Sequence, residues 1–107
     1  MKHGPIALID ENMPVVFLTN HHRRYQKVIS NLQEVKARDA EVLGICFEGD
    51  KNLAKYTDHV IYIPKTDKYL APILTVLPLQ LFAYYAALVR GCDVDKPRNL
   101  AKSVTVE

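Results

Sequence analysis

The sequence predicts an α/β fold built on a parallel sheet of about three strands. Three short apolar runs, Val15-Val16-Phe17-Leu18-Thr19, Val42-Leu43-Gly44-Ile45-Cys46-Phe47 and His59-Val60-Ile61-Tyr62-Ile63, show little of the polar alternation expected of a half-exposed strand. Near-continuous runs of this kind mark strands buried on both faces, as in parallel sheets. Segments with helical spacing separate or follow them, and strand–helix alternation is the pattern that builds such a sheet.

The first run follows Pro14 and is ended by Asn20. From Asn20 to Arg38 the period changes. Tyr25, Val28, Ile29, Leu32 and Val35 fall at i, i+3, i+4, i+7 and i+10, one stripe of an amphipathic helix, with Arg24, Lys27, Asn31, Glu34 and Arg38 opposite and Asn20 as N-cap. The second run lies between Glu41 and Glu48 and is broken by Gly49-Asp50. Leu53 to Tyr56 predicts a short helix or turn. The third run stops at Pro64, and Lys65 to Tyr69 reads as a loop. Leu70 to Arg90 reads as a helix. Pro72 is tolerated in its first turn, Pro78 starts a second segment or a kink, and Gly91 closes it. Three strands make a thin sheet, so the pattern resembles the second half of a doubly wound domain.

Length and charge bound the function. A chain of 107 residues is one small domain or part of one. A net charge of +2, with acids interspersed among the lysines and arginines, argues against nucleic acid as the main partner. Cys46 and Cys92 are far apart and read as reduced thiols of a cytoplasmic protein. The start of the chain lacks the apolar core of a signal peptide. Leu70 to Val89 is long enough to span a bilayer. It contains Pro72, Thr75, Pro78 and Gln80, so the expectation is a buried helix and no membrane contact.

General chemical motifs are sparse. There is no G-x-G-x-x-G, Walker loop or C-x-x-C. His21 and His22 are adjacent and point apart on a helix, so no metal site is expected. Ser30 and Ser103 lack a nucleophile-elbow context, and Arg23-Arg24 read as solvated. His3 titrates near pH 6.5 when unperturbed, which suits proton transfer, but taken alone it is a solvated residue near an end of the chain. Lys102 taken alone is a surface lysine. Held in a desolvated pocket, its amine would lose basicity and could attack a carbonyl to form a Schiff base.

Particular stretches add a resemblance. Lys2-His3-Gly4-Pro5-Ile6-Ala7-Leu8-Ile9-Asp10 with Met13-Pro14-Val15-Val16, then Ala71-Pro72-Ile73 with Val76-Leu77-Pro78-Leu79-Gln80-Leu81 and Ala83-Tyr84, and finally Asp93-Val94-Asp95 with Pro97-Arg98-Asn99-Leu100-Ala101-Lys102-Ser103-Val104-Thr105-Val106-Glu107, are similar to the glutamine–fructose-6-phosphate aminotransferase family. The resemblance covers the whole chain, strongest at its two ends and weakest from His21 to Lys68.

It implies part of the second sugar-isomerase (SIS) subdomain, a flavodoxin-like, Rossmann-like three-layer sandwich. Residues 1–92 would be the C-terminal part of that subdomain and 93–107 a tail covering the active site. It implies fructose 6-phosphate as the sugar, glutamine-derived ammonia as the nitrogen source, and glucosamine 6-phosphate as the product. His3 would be the ring-opening histidine, reaching a neighbouring subunit's site. Lys102 would form the Schiff base with the open-chain sugar, and the Ala101 backbone would contact the sugar. No cofactor is implied, and a homodimer is. The family's catalytic base, its phosphate-holding loops in the first SIS subdomain and its glutaminase domain have no counterpart in this sequence. The expectation is therefore a fragment, inactive alone. The alternative is a non-catalytic, sugar-phosphate-binding SIS module of a regulator. A ligand-free domain would leave the tail disordered.

Overall fold

The computed structural model describes residues 4–19 and 24–96. They fall in two units, one within Met1–Thr75 and one within Val76–Glu107.

The first unit holds β1 (Val15–Leu18), α1 (Tyr25–Lys36), β2 (Val42–Phe47) and β3 (His59–Ile63). The strands form one sheet in the order β1-β2-β3, both pairs parallel. Val15 pairs with Val42 and Leu18 with Ile45, while Leu43 pairs with His59 and Phe47 with Ile63. With a side-chain period of two, this register puts Val15 and Phe17 on one face with Val42, Gly44, Cys46 and Val60. The main core forms there. Leu32 and Val35 of α1, Leu53, Ile6 within a 3-10 turn at Pro5–Leu8, and Ile9 just after it are buried in one cluster with Phe17, Val42 and Cys46. Gly44 is required by packing. A Cβ there would lie 2.6 Å from Cδ2 of Leu53, a fully buried side chain.

The three strands and the short turn at Leu53–Lys55 lie where the apolar runs and their breakers predict. The helix predicted over 20–38 is shorter, Tyr25–Lys36. Asn20, its expected N-cap, lies outside the described residues. The residue preceding the helix is Arg24, which makes no side-chain cap. At the other end the backbone tightens. The Arg38 and Asp39 amides donate to the carbonyls of Val35 and Lys36, and Asp39 turns into the left-handed region at φ 60°. A short polar side chain tolerates that conformation better than most, so Arg38 falls outside the helix.

Asp58 ties this turn to the sheet. Its Oδ2 accepts the Val42 amide at 2.7 Å, and both its oxygens accept the Lys36 ammonium at 2.9 Å. The end of α1, the start of β2 and the approach to β3 thus share one carboxylate. Hydrogen bonding to Lys36, then to Val42, holds its pKa below the ordinary value of 3.8.

The helix α2 (Ala71–Val89) carries apolar residues all round. It begins in the first unit, where Ala71 and Thr75 are buried and the Thr75 hydroxyl donates to the Ala71 carbonyl at 2.7 Å. Pro78 lies inside the helix without ending it. In the second unit the helix closes as Gly91 predicts. Gly91 has φ 69°, its amide donates to Leu88, and the Cys92 amide donates to Ala87. This double bond set is the Schellman arrangement.

The expectation of a buried helix is not met. Only 6% of its most apolar window is buried, with Leu81 58%, Tyr85 60% and Val89 88% exposed. Strands about 4.8 Å apart make a three-stranded sheet only about 10 Å across, too little surface to enclose a helix that is apolar on nearly every side. By length and composition alone, α2 is also apolar enough to cross a membrane.

The lowered pKa of Asp58 makes a signed prediction. The unfolded chain binds this proton more tightly, so the contribution of Asp58 is present above its ordinary value and lost as pH falls through the lowered folded one. Urea midpoints measured from pH 5 downward should fall more steeply, below pH 3.8, in the wild type than in Asp58→Asn. Equal slopes would show that the carboxylate carries no such linkage.

Candidate functional site

Parallel pairing brings the carboxyl ends of all three strands to one edge of the sheet, the usual place for ligands in open α/β sheets. A cavity of about 630 Å³ opens there. Thr19 follows β1, Phe47 to Asn52 follow the line of β2, and Lys65 follows β3 by two residues. Tyr25 and Gln26 come from the first turn of α1.

One side of the cavity is pinned. Asp50 Oδ1 accepts the Tyr25 hydroxyl at 2.9 Å and the amides of Asn52 and Leu53 at 3.0 and 3.1 Å. Gly49, at φ 91°, makes the reversal that brings Asp50 back under α1, a conformation open to glycine at little cost. Burial first, then the bond to Asp50, raises the Tyr25 pKa well above its ordinary 10, so the phenol remains a donor. Cys46 is not a nucleophile. Burial, helped by the nearby Asp50 charge, pushes its thiol up to about 11, leaving almost no thiolate at neutral pH.

The other groups are uncommitted. Lys51 and Lys65 are exposed, and neither makes an ion pair among the described residues. Thr19 differs. Its amide donates to the Ile45 carbonyl at 3.0 Å, but its hydroxyl, in a residue only 7% exposed, has no hydrogen-bond partner among the described residues.

His3, Lys102 and Ala101 all lie outside the described residues. The cavity residues form no sequence motif, because they come from four separate stretches of chain. The usable signal was positional. Thr19, Gly49-Asp50 and Pro64-Lys65 each stand where an apolar run stops, which in a parallel sheet is a single edge.

An open three-stranded parallel α/β sheet with a cavity at its carboxyl edge defines the class. The SIS domain family matches residues 1–90, and the chain belongs to that family. Its full length is 56% identical to the glutamine–fructose-6-phosphate aminotransferase (isomerizing) of Clostridium tetani, covering 18% of that protein. It is 54% identical, again over all 107 residues, to the enzyme of the same name from Chlorobaculum tepidum, covering 17% of it. The C-terminal domain of glucosamine-fructose-6-phosphate aminotransferase from Francisella tularensis has the same fold. The TM-score is 0.81 at 35% identity, over 89% of this chain and 27% of that one. The chain thus spans less than a fifth of the length of these two relatives.

The orphan hydroxyl yields a stability prediction. An unpaired buried hydroxyl costs about 1–3 kcal/mol, and valine keeps the side chain's shape without it. In the ligand-free chain, Thr19→Val should raise the unfolding free energy by about 1 kcal/mol in urea titrations. A loss of stability would show that the hydroxyl has a partner.

Proposed function

We propose that the chain is the C-terminal part of the second SIS subdomain in the isomerase half of a glutamine–fructose-6-phosphate aminotransferase. The observation that carries this reading is 56% identity sustained across all 107 residues, which takes in both His3 and Lys102. In the complete enzyme, ammonia from glutamine and fructose 6-phosphate give glucosamine 6-phosphate and glutamate.

The role of this chain is to bring two groups to a composite site. His3 shuttles the proton needed to open the sugar ring, a task for a group titrating near neutrality. Lys102 Nζ attacks the C2 carbonyl of the opened ketose. Water leaves, and a C=N bond holds the sugar. The Ala101 backbone contacts the sugar, and the residues around it cover the pocket. The catalytic base and the groups that hold the phosphate are supplied from the rest of the enzyme. The chain alone therefore makes no glucosamine 6-phosphate.

A cytoplasmic location is supported by two unpaired cysteines, Cys46 and Cys92. Homodimer formation is supported by the uncovered apolar surface of α2, which needs a partner in water. Pro78, Thr75 and Gln80 within that helix favour a protein partner over lipid.

Two measurements check this. With the complementary part of the enzyme restored, borohydride and fructose 6-phosphate should leave a reduced secondary-amine adduct on Lys102, found by peptide mass spectrometry and absent in Lys102→Arg. A complete assembly that turns over sugar without this adduct would refute the assignment. In sedimentation the chain should run as a dimer of its 12.2 kDa mass, and Leu81→Glu with Tyr85→Glu should make it a monomer. A wild-type monomer would refute the dimer.

A further inference from the structure

We propose that Asp93 is a positioning residue for Lys102: its carboxylate fixes the direction in which the chain leaves α2, and so where the lysine amine can be delivered. This rests on the Schiff-base role proposed above for Lys102.

The difficulty that Asp93 answers is one of reach and order. Lys102 lies thirteen residues beyond Val89, the last residue of α2. A free link of that length would let the amine sample a wide volume, and docking it would fix each backbone unit at a cost in conformational entropy. Two successive devices shorten the free part. The Gly91 amide donates to the Leu88 carbonyl at 2.9 Å and the Cys92 amide to Ala87 at 2.8 Å, so both residues are tied back to the helix. Asp93 follows at once. Its Oδ1 accepts the Asp95 amide at 2.9 Å and the Lys96 amide at 3.3 Å. The chain is thus held to Lys96, and Lys102 is six residues further on, within about 20 Å of it even at full extension.

A second aspartate shows why these bonds make a turn and not another helix. Asp67 Oδ1 accepts the amides of Tyr69 and Leu70 at 2.8 and 3.2 Å, and the Ala71 amide then donates to the Asp67 carbonyl at 3.0 Å, where α2 begins. The residue four after Asp93 is Pro97, which has no amide hydrogen with which to make that bond. Asp93 therefore makes the bonds of a helix start where the first step of the ladder is blocked. What they give is a fixed change of direction. Nor is Asp93 explained by charge pairing, since it is exposed and makes no ion pair among the described residues.

The test uses the complete assembly with fructose 6-phosphate and reads the rate at which the borohydride-reduced adduct forms on Lys102 at saturating sugar. Asp93→Ala should slow it about fivefold, the scale of one ordinary hydrogen-bonded turn. KM for the sugar should stay within roughly twofold, because the groups that hold its phosphate lie elsewhere. Asp93→Asn keeps an oxygen in place without the charge and should restore most of the rate. Asp93→Glu keeps the charge but moves its oxygens out by one methylene, and should behave like Asp93→Ala. An adduct that forms as fast in Asp93→Ala as in the wild type would overturn the proposal and leave the role of Lys102 standing, and it would do so even if the variant melted earlier. A rate kept by Asp93→Glu and lost in Asp93→Asn would overturn it too, since charge and not the turn would then be responsible. No adduct on Lys102 in the wild-type assembly would overturn both readings.

Discussion

The parallel pairing of β2 with a neighbour on each side is the constraint on which the first unit depends. A strand that is parallel on both sides cannot use tight hairpins. The chain must cross back over the sheet between strands, and those crossings supply α1 and the turn at Leu53–Lys55. Because all three strands run the same way, they also end together. Thr19, Glu48 and Lys65 are 17 to 46 residues apart in sequence, yet they border one cavity for that reason alone. The sheet's opposite edge is held differently. There Asp58 joins the end of α1 to the start of β2, so one edge is tied by a carboxylate while the cavity lies at the other.

The second constraint is unmet within the chain. A predominantly apolar helix of 19 residues is a stable element only where something other than water covers it. The helix itself is well made, with proline in its first turn and a glycine-based close at Gly91, so its exposure is not a defect of local structure. Relatives of which this chain covers 17–18% have ample further chain with which to cover such a surface, and a second copy is the other source. The proposed dimer and the proposed composite site thus share a physical root. Both rest on surfaces and side chains of this chain that need a complement.

Much of the fold was legible because its signals were local. β2 and β3 were bounded by Glu41, Gly49 and Pro64, breakers that act within a residue or two. The Tyr25–Val35 stripe marks the buried face of α1, although the helix ends two residues before Arg38, ahead of the left-handed backbone at Asp39, which no periodicity reports. The turn at Pro5–Leu8 is invisible to periodicity, since four residues carry no measurable period. The exposure of α2 departs from the expected burial for a different reason. Composition says that a surface needs cover but not which molecule supplies it. For the candidate site, the resemblance pointed to His3, Ala101 and Lys102, while the cavity at the sheet edge arises from register and strand direction, which become visible only once the strands are paired.

Amide hydrogen exchange along β2 tests the organising role of that strand most directly. If its pairing on both sides holds the first unit together, the Leu43–Phe47 amides bonded within the sheet should exchange only through global unfolding, with a free energy matching that from urea titration. Faster exchange there than in α1, through an opening that leaves the helix protected, would contradict the account.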